Sequence, residues 1–310
     1  MLETLDRTHL HIDPEVLARD FDRVPFGFDH DLHGLDMLGF ASLRALAEKY
    51  RRDYFVASGS GTPDARFYSV AHGMRTPSEA LDQLDANSER VLLKRPELYD
   101  VRFADLLQTL FKQVVELRGG LRGERVVRLE SSILISSAAA VTPFHFDPEI
   151  TFFFHIEGEK IYHLYAPTAV SEPELERFYN MGIVSIGQVD LTAREAHNAH
   201  VFRLVAGKGL HQPQNSPHWV ETRATRTISY AFAFETDASR ARGRTRAFNH
   251  YQRQLGLSPL PPGLHPTHAA RKAATMQFLI PLRKRAANAV RGLNRCGEGR
   301  LRLTPWSERP

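Results

Sequence analysis

Thr142-Pro143-Phe144-His145-Phe146-Asp147 sets an imidazole and a carboxylate two residues apart. On a β-strand, such residues point to the same face. His145 and Asp147 could therefore grip one metal ion from a single strand. A second imidazole arriving from another strand would complete two nitrogens and one oxygen on one side of an octahedral ion. The remaining positions stay open, which is the donor set of non-heme Fe(II) oxygen chemistry. On ligand spacing alone, the second histidine stays open between His218 and His211, with His155, His163, His197 and His200 as weaker rivals. Gly158-Glu159-Lys160 adds a cation. In register on the strand neighbouring His145 and Asp147, Lys160 points inward. An inward lysine needs an anion, and the distal carboxylate of a bound diacid would serve through a charge-assisted hydrogen bond, with the Thr142 hydroxyl as a further donor.

Each of these residues has a plainer reading when taken alone. The chain has 15 histidines, so an isolated His-x-Asp is weak evidence, and a lysine after a turn glycine commonly points to water. The surroundings weigh against that. Phe144, Phe146, Phe152, Phe153 and Phe154 flank the motif, so the strand is not wholly solvated, and charged groups near a core need partners or a metal.

The elements that must position these groups are short strands. Residues 125–140 are rich in β-branched and small side chains, and strand-like segments follow at 144–147, 151–156, 160–165, 201–204, 210–211 and 227–234. Gly158, between two of them, suits a hairpin. Many short strands at this spacing predict a barrel or sandwich rather than βα units. Upstream, Phe40, Leu43, Leu46 and Ala47 have helical spacing, residues 53–57 read as a strand, a helix begins at Pro77 with Ser78 as its cap, and residues 103–117 form a helix closed by Gly119-Gly120. The segment 167–200 reads as a long loop of the kind that covers a site. Beyond the stiff Pro259, Pro261 and Pro262, residues 267–292 read as an amphipathic basic helix, kinked or broken at Pro281. The sequence contains no Gly-rich phosphate loop and no pair of Cys-x-x-Cys units.

Composition sets the outer bounds. At 310 residues, 42% hydrophobic and 25% charged, the chain can bury a full core in one large or two modest domains. Cys296 is the only cysteine, so no intrachain disulfide forms, which fits a reducing cytoplasm. The N-terminal residues carry no basic stretch followed by an apolar one, so no signal peptide is expected, and no apolar run approaches a membrane span. Charge is uneven: residues 239–310 balance at +13 while the whole chain is +4, leaving −9 on residues 1–238. A basic tail packed on an acidic body or on a second subunit is the favoured reading, ahead of an arm for nucleic acid or an anionic membrane.

The residues also resemble a family. Ser131-Ser-Ile-Leu-Ile135, Thr142-Pro-Phe-His-Phe-Asp147, Phe152-Phe-Phe-His-Ile-Glu-Gly158-Glu-Lys160 and Leu164-Tyr165-Ala-Pro167 look like the JmjC-type cupin oxygenases, especially the asparaginyl hydroxylase that inhibits hypoxia-inducible factor and bacterial cupin-like relatives. Gly209-Leu-His-Gln-Pro213 through Pro217-His218-Trp-Val-Glu221 resembles the segment bearing the last metal histidine, which favours His218 over His211. The match covers roughly residues 125–235. The resemblance implies Fe(II) held by His145, Asp147 and His218, with 2-oxoglutarate held through its C5 carboxylate by Lys160 and Thr142. The chain departs from the pattern in three places. No tyrosine stands near Arg90-Val-Leu92-Leu, where some members carry a further carboxylate anchor; Thr151 replaces one asparagine of the asparaginyl hydroxylase, and Ala231 or a neighbour replaces a second.

The resulting expectation is a mainly β chain with a double-stranded β-helix (jelly-roll, cupin) core. Residues 1–120 would form a mixed N-terminal region packed on the core, 121–236 the core itself, and 237–310 a basic helical extension. The implied activity is an Fe(II)- and 2-oxoglutarate-dependent dioxygenase that uses O2, releases succinate and CO2, and hydroxylates a protein side chain, a peptide or a small molecule. The rival is a cupin-like metal-binding protein or regulator without that chemistry, and a minor third reading is a metal-dependent isomerase or lyase. Phe152, Phe154, Phe202 and Trp219 are candidates for a dry wall around the site, and the C-terminal helix is a candidate dimer contact.

Overall fold

The structure is a computed structural model that describes residues 9–59, 61–66, 75–180, 190–191 and 198–297, with side chains of the last helix described to Arg283 and at Arg285. The chain divides into two compact units, Met1–Ala169 with Ile186–Glu235, and Val170–Ser185 with Thr236–Pro310.

The first unit is built from two antiparallel sheets. Its elements in chain order are β1 (Leu10–His11), α1 (Pro14–Asp20), β2 (Phe26–His30), α2 (Phe40–Ala47), β3 (Tyr54–Ser58), α3 (Pro77–Asp82), α4 (Leu84–Asn87), β4 (Glu89–Lys94), α5 (Val101–Leu117), β5 (Val126–Ser136), β6 (Val141–Phe146), β7 (Ile150–Glu157) and β8 (Lys160–Leu164), and, after α6 (Glu172–Asn180) of the second unit, β9 (His200–Leu204), β10 (Lys208–Gln212), β11 (Pro217–Thr222) and β12 (Thr227–Thr236). The large sheet runs β1-β2-β10-β7-β12-β5-β4-β3 and the small sheet β6-β11-β8-β9. Phe153, Leu210 and Ala231 of the large sheet pack with Tyr162, Leu164, Leu204 and Val220 of the small one, so the sheets face each other across a shared interior. The strand pattern predicts a barrel or sandwich and the resemblance implies a jelly roll, and the two sheets form that jelly-roll sandwich. The outer face of the large sheet is also covered. Phe103, Leu106, Leu107, Leu110 and Val114 lie at helical spacing on α5 and join Phe152, Phe154, Tyr230 and Phe232 in the main core. Burial on both faces explains why 151–156 reads as a nearly continuous apolar run rather than an alternating one.

Several sequence expectations need correction. Gly158 does not close a hairpin: β7 pairs with β10 and β12, whereas β8 pairs with β11 and β9. Its φ of 80° turns the chain out of one sheet and into the other. The helix at Pro77 is capped by Thr76 rather than Ser78. The Thr76 hydroxyl accepts from the Glu79 amide while the Glu79 carboxylate takes the Thr76 amide, a reciprocal pair for which Ser78 lies inside the first turn. The segment 167–200 is not all loop, since it contains α6, while residues 181–189 and 192–197 lie outside the described residues. β2, β4 and β11 are strands that the sequence reading did not single out.

The second unit is helical: α6, α7 (Asp237–Gln254) and α8 (Pro266–Gly297). Thr236 and Ser239 cap α7 reciprocally, and Pro281 lies inside α8. Among the described residues, no helix is long and apolar enough to cross a membrane.

Candidate metal centre

His145 is on β6, Asp147 is one residue past its end, and His218 is on β11 directly opposite His145. Antiparallel pairing thus brings the later histidine to the motif across 72 intervening residues. One ligand atom from each residue lies within 4.8 Å of the other two. His145 Nε2 is 4.0 Å from Asp147 Oδ1, and His218 Nε2 is 3.7 Å from Asp147 Oδ2. Donors about 2.1 Å from a shared ion lie at most about 4.2 Å apart, a span within which both of these pairs fall, each through a different Asp147 oxygen.

The tautomers suit that use. His145 Nδ1 donates to the Pro143 carbonyl at 2.6 Å, and His218 Nδ1 to the Ser216 carbonyl at 3.1 Å. Each ring therefore turns a bare Nε2 lone pair toward the other ligands. Burial drives both imidazoles toward the neutral form. His145 is pushed below its ordinary value, and His218 is pushed down to about 3, first by burial and then by the nearby His145. Neutral rings do not form a salt bridge with Asp147, and the three side chains are a group that could hold a metal ion.

Side chains around Asp147 fix its position. Tyr162 OH donates to Gln212 Oε1 at 2.9 Å, and Gln212 Nε2 donates to Asp147 Oδ2 at 3.2 Å. The Tyr162 ring also stacks on His218, with centroids 5.1 Å apart. The Asn215 amide holds the Asp147 carbonyl at 2.8 Å, and Gln214 Nε2 holds the Pro148 carbonyl at 2.8 Å. Glu149, whose carboxyl is raised chiefly by burial, pairs with Arg128.

Lys160 begins β8 and is 3% exposed. Its strand is not the neighbour of β6, as the sequence reading had it; β11 lies between them. Lys160 nevertheless turns inward, with its ammonium 5.7 Å from the Phe153 ring centre. Burial, and then the charge of Arg90, lower it to about 7. Thr142 on β6 accepts a hydrogen bond from Arg90 Nη1 at 3.2 Å.

The rival histidines are elsewhere. His211 Nδ1 donates to the Thr151 carbonyl, its Nε2 accepts from the Asp22 amide, and its ring stacks on Phe21, so it is a satisfied core residue. His155 is tied to Ser229 and Gly158. His163 stacks on Trp219 with centroids 3.7 Å apart. His200 is exposed, and His197 lies outside the described residues. The aromatic wall also differs from expectation. Phe152 and Phe154 belong to the main core on the far side of the large sheet, and Trp219 packs with Phe144 and Tyr165. Phe153, flanked by those two on β7, faces the interior instead, with Phe202 packed against the same cluster. Sequence reasoning missed Arg90, Tyr162 and Gln212. Only Arg90 left a signal, as the residue beside the place where some members of the resembled family carry a tyrosine.

No protein-family model matches the chain, and a search of curated proteins finds no match. Solved structures do match. Escherichia coli ycfD superposes with a TM-score of 0.53 at 18% identity, covering 87% of this chain and 68% of that one. A structure of YcfD, a ribosomal oxygenase from Escherichia coli, in complex with cobalt and 2-oxoglutarate matches with a TM-score of 0.50 at 17% identity over 88% and 68% of the two chains. One with cobalt and succinic acid gives the same values. At this identity, the likeness establishes the shared jelly-roll cupin fold.

Proposed function

We propose that the chain is an Fe(II)- and 2-oxoglutarate-dependent oxygenase, a hydroxylase of a protein side chain, peptide or small molecule. The observation that carries this reading is the His145–Asp147–His218 triad, its two imidazoles held neutral, in one interior with the inward Lys160. Cobalt with 2-oxoglutarate in the ycfD structure supports the pairing of a divalent ion with this co-substrate on the same fold.

Each residue has a defined task. His145, Asp147 and His218 hold the ion from one side. Tyr162 and Gln212 keep Asp147 Oδ2 aimed and the His218 ring in plane. Lys160, with Thr142 nearby, binds the far carboxylate of 2-oxoglutarate, which sets the 2-oxo acid end toward the triad. Phe153, Leu204, Leu210 and Ala231 exclude water from that interior. Bound iron supplies the activation of O2 that, with decarboxylation of 2-oxoglutarate to succinate and CO2, oxidises a substrate C–H bond.

The test is cobalt or iron binding followed by succinate release from 2-oxoglutarate under air. Wild type should retain about one equivalent of metal and release succinate, and Asp147→Ala should lower metal affinity at least about 100-fold. A wild type that holds metal but does not bind 2-oxoglutarate selects the non-catalytic cupin reading. Failure to hold metal removes both.

A further inference from the structure

Arg90 faces the same interior from the opposite sheet. It pairs with Ser136, while Leu92, two residues on, pairs with Leu134. Leu134 packs between the sheets, and strand alternation puts Arg90 on that face. Its Nε donates to the Ser58 carbonyl at 3.2 Å, and its Nη1 reaches across to Thr142 on β6 at 3.2 Å. Its charge bears on both Lys160 and His145. Lys160, in turn, has no carboxylate partner among the described residues. A buried lysine without a carboxylate is a poor arrangement unless an anion joins it.

We infer that Arg90 is a second cationic anchor for the distal carboxylate of 2-oxoglutarate, sharing it with Lys160 across the sandwich. The assignment rests on the oxygenase reading above. The guanidinium has five N–H donors in a planar fork, enough to hold Ser58 and Thr142 and also reach a carboxylate. Because Thr142 accepts from Arg90, its own hydroxyl hydrogen can turn toward the same anion. The ligand class that fits is a 2-oxo acid with a second carboxylate. Two cations aimed at that group make the site discriminate against 2-oxo monoacids.

The experiment titrates cobalt-loaded full-length protein with 2-oxoglutarate and, separately, with 2-oxobutyrate, which has the 2-oxo acid end but no distal carboxylate. Arg90→Met keeps the stem and removes the fork, whereas Arg90→Lys keeps a charge. Loss of a charge-assisted hydrogen bond predicts that Arg90→Met weakens 2-oxoglutarate binding about tenfold or more, with 2-oxobutyrate binding unchanged and Arg90→Lys in between. A purely structural role would weaken both ligands together. Unchanged 2-oxoglutarate binding in a cobalt-retaining Arg90→Met, or equal loss of both ligands in both variants, overturns the inference and leaves the oxygenase reading standing. A cobalt-loaded wild type that does not bind 2-oxoglutarate removes the oxygenase reading, and the Arg90 assignment with it.

Discussion

In the helical unit, carboxylates and guanidinia meet in two-point pairs. Glu172 of α6 accepts from Arg246 of α7 at 3.0 and 2.8 Å, and Glu176 accepts from Arg253 at 2.6 and 3.0 Å. In the two-sheet unit, the buried ammonium of Lys160 meets no carboxylate among the described residues, and two neutral imidazoles share one aspartate. The first arrangement neutralises itself on folding and serves stability. Under the proposed function, the second is completed by a bound cation and a bound anion. On that reading, the pattern of unanswered charges separates a binding interior from a structural one, although both units are rich in ionisable groups.

Acid should separate the two most strongly. His30 is held down to about 4, and His155, His211 and His218 to about 3, each mainly by burial in the two-sheet unit. Their folded values lie below the unfolded value near 6.5, so the unfolded chain binds protons first. Their contribution to stability is whole above about pH 6.5 and drains away as pH falls toward 4 and 3, by at most about 1.4 kcal/mol per pH unit for each ring. The described part of the helical unit buries no histidine. Melting followed in the sheet band of an infrared spectrum should therefore shift more between pH 7.5 and 5 than melting followed in the helix band. Equal shifts would erase the contrast.

Glycine substitutions give a smaller effect. A Cβ on Gly209 would meet the Phe28 ring and, at 2.8 Å, the Phe153 carbonyl of the next strand, whereas one on Gly243 of α7 would meet only the ring of Tyr179 at 2.6 Å. Sheet backbone cannot step aside, so Gly209→Ala should cost about 1–3 kcal/mol. The half-buried Tyr179 ring can turn, and alanine recovers about 1 kcal/mol of helix propensity, so Gly243→Ala should be close to neutral. Urea midpoints read the difference.

The smallest effect concerns ion pairs. Glu176 is 1% exposed beside the half-open Arg253, whereas Arg203 and Glu159 of the small sheet pair at the surface. Arg253→Ala should lower Tm by about 2–4 °C, a modest shift because water screens the arginine. Arg203→Ala should leave Tm unchanged. The reverse order would mean that the helical unit does not depend on its pairs.

How far these features were readable from the chain depended on their range. His145 and Asp147 announce themselves by their two-residue spacing, which puts them on one face of an extended chain even though Asp147 lies just past the end of β6. His218 is visible only through the resemblance, since its partner lies 72 intervening residues away and spacing carries no register. β7 was legible as an apolar run, but which of its phenylalanines face the site was not. Burial on both faces removes the alternation that would have told Phe153 from Phe152 and Phe154. Arg90 stands in the sequence only beside the place where some resembling proteins carry a tyrosine, because its meaning depends on Thr142 in the other sheet. The Gly158 hairpin failed for a related reason: a turn glycine marks a reversal and does not say whether the flanking strands pair.

The large sheet places β12, its last strand in chain order, between β7 and β5. As the polypeptide leaves the ribosome, Phe152 and Phe154 on one flank and Ile133 and Ile135 on the other must wait for residues 227–236 before the gap between them closes. Until then two unsatisfied backbone edges stand open around that vacancy. Co-translational assembly of this sandwich is accordingly a problem of holding, one that invites a chaperone or slow, late closure, and a ribosome stalled short of residue 236 would release an aggregation-prone chain.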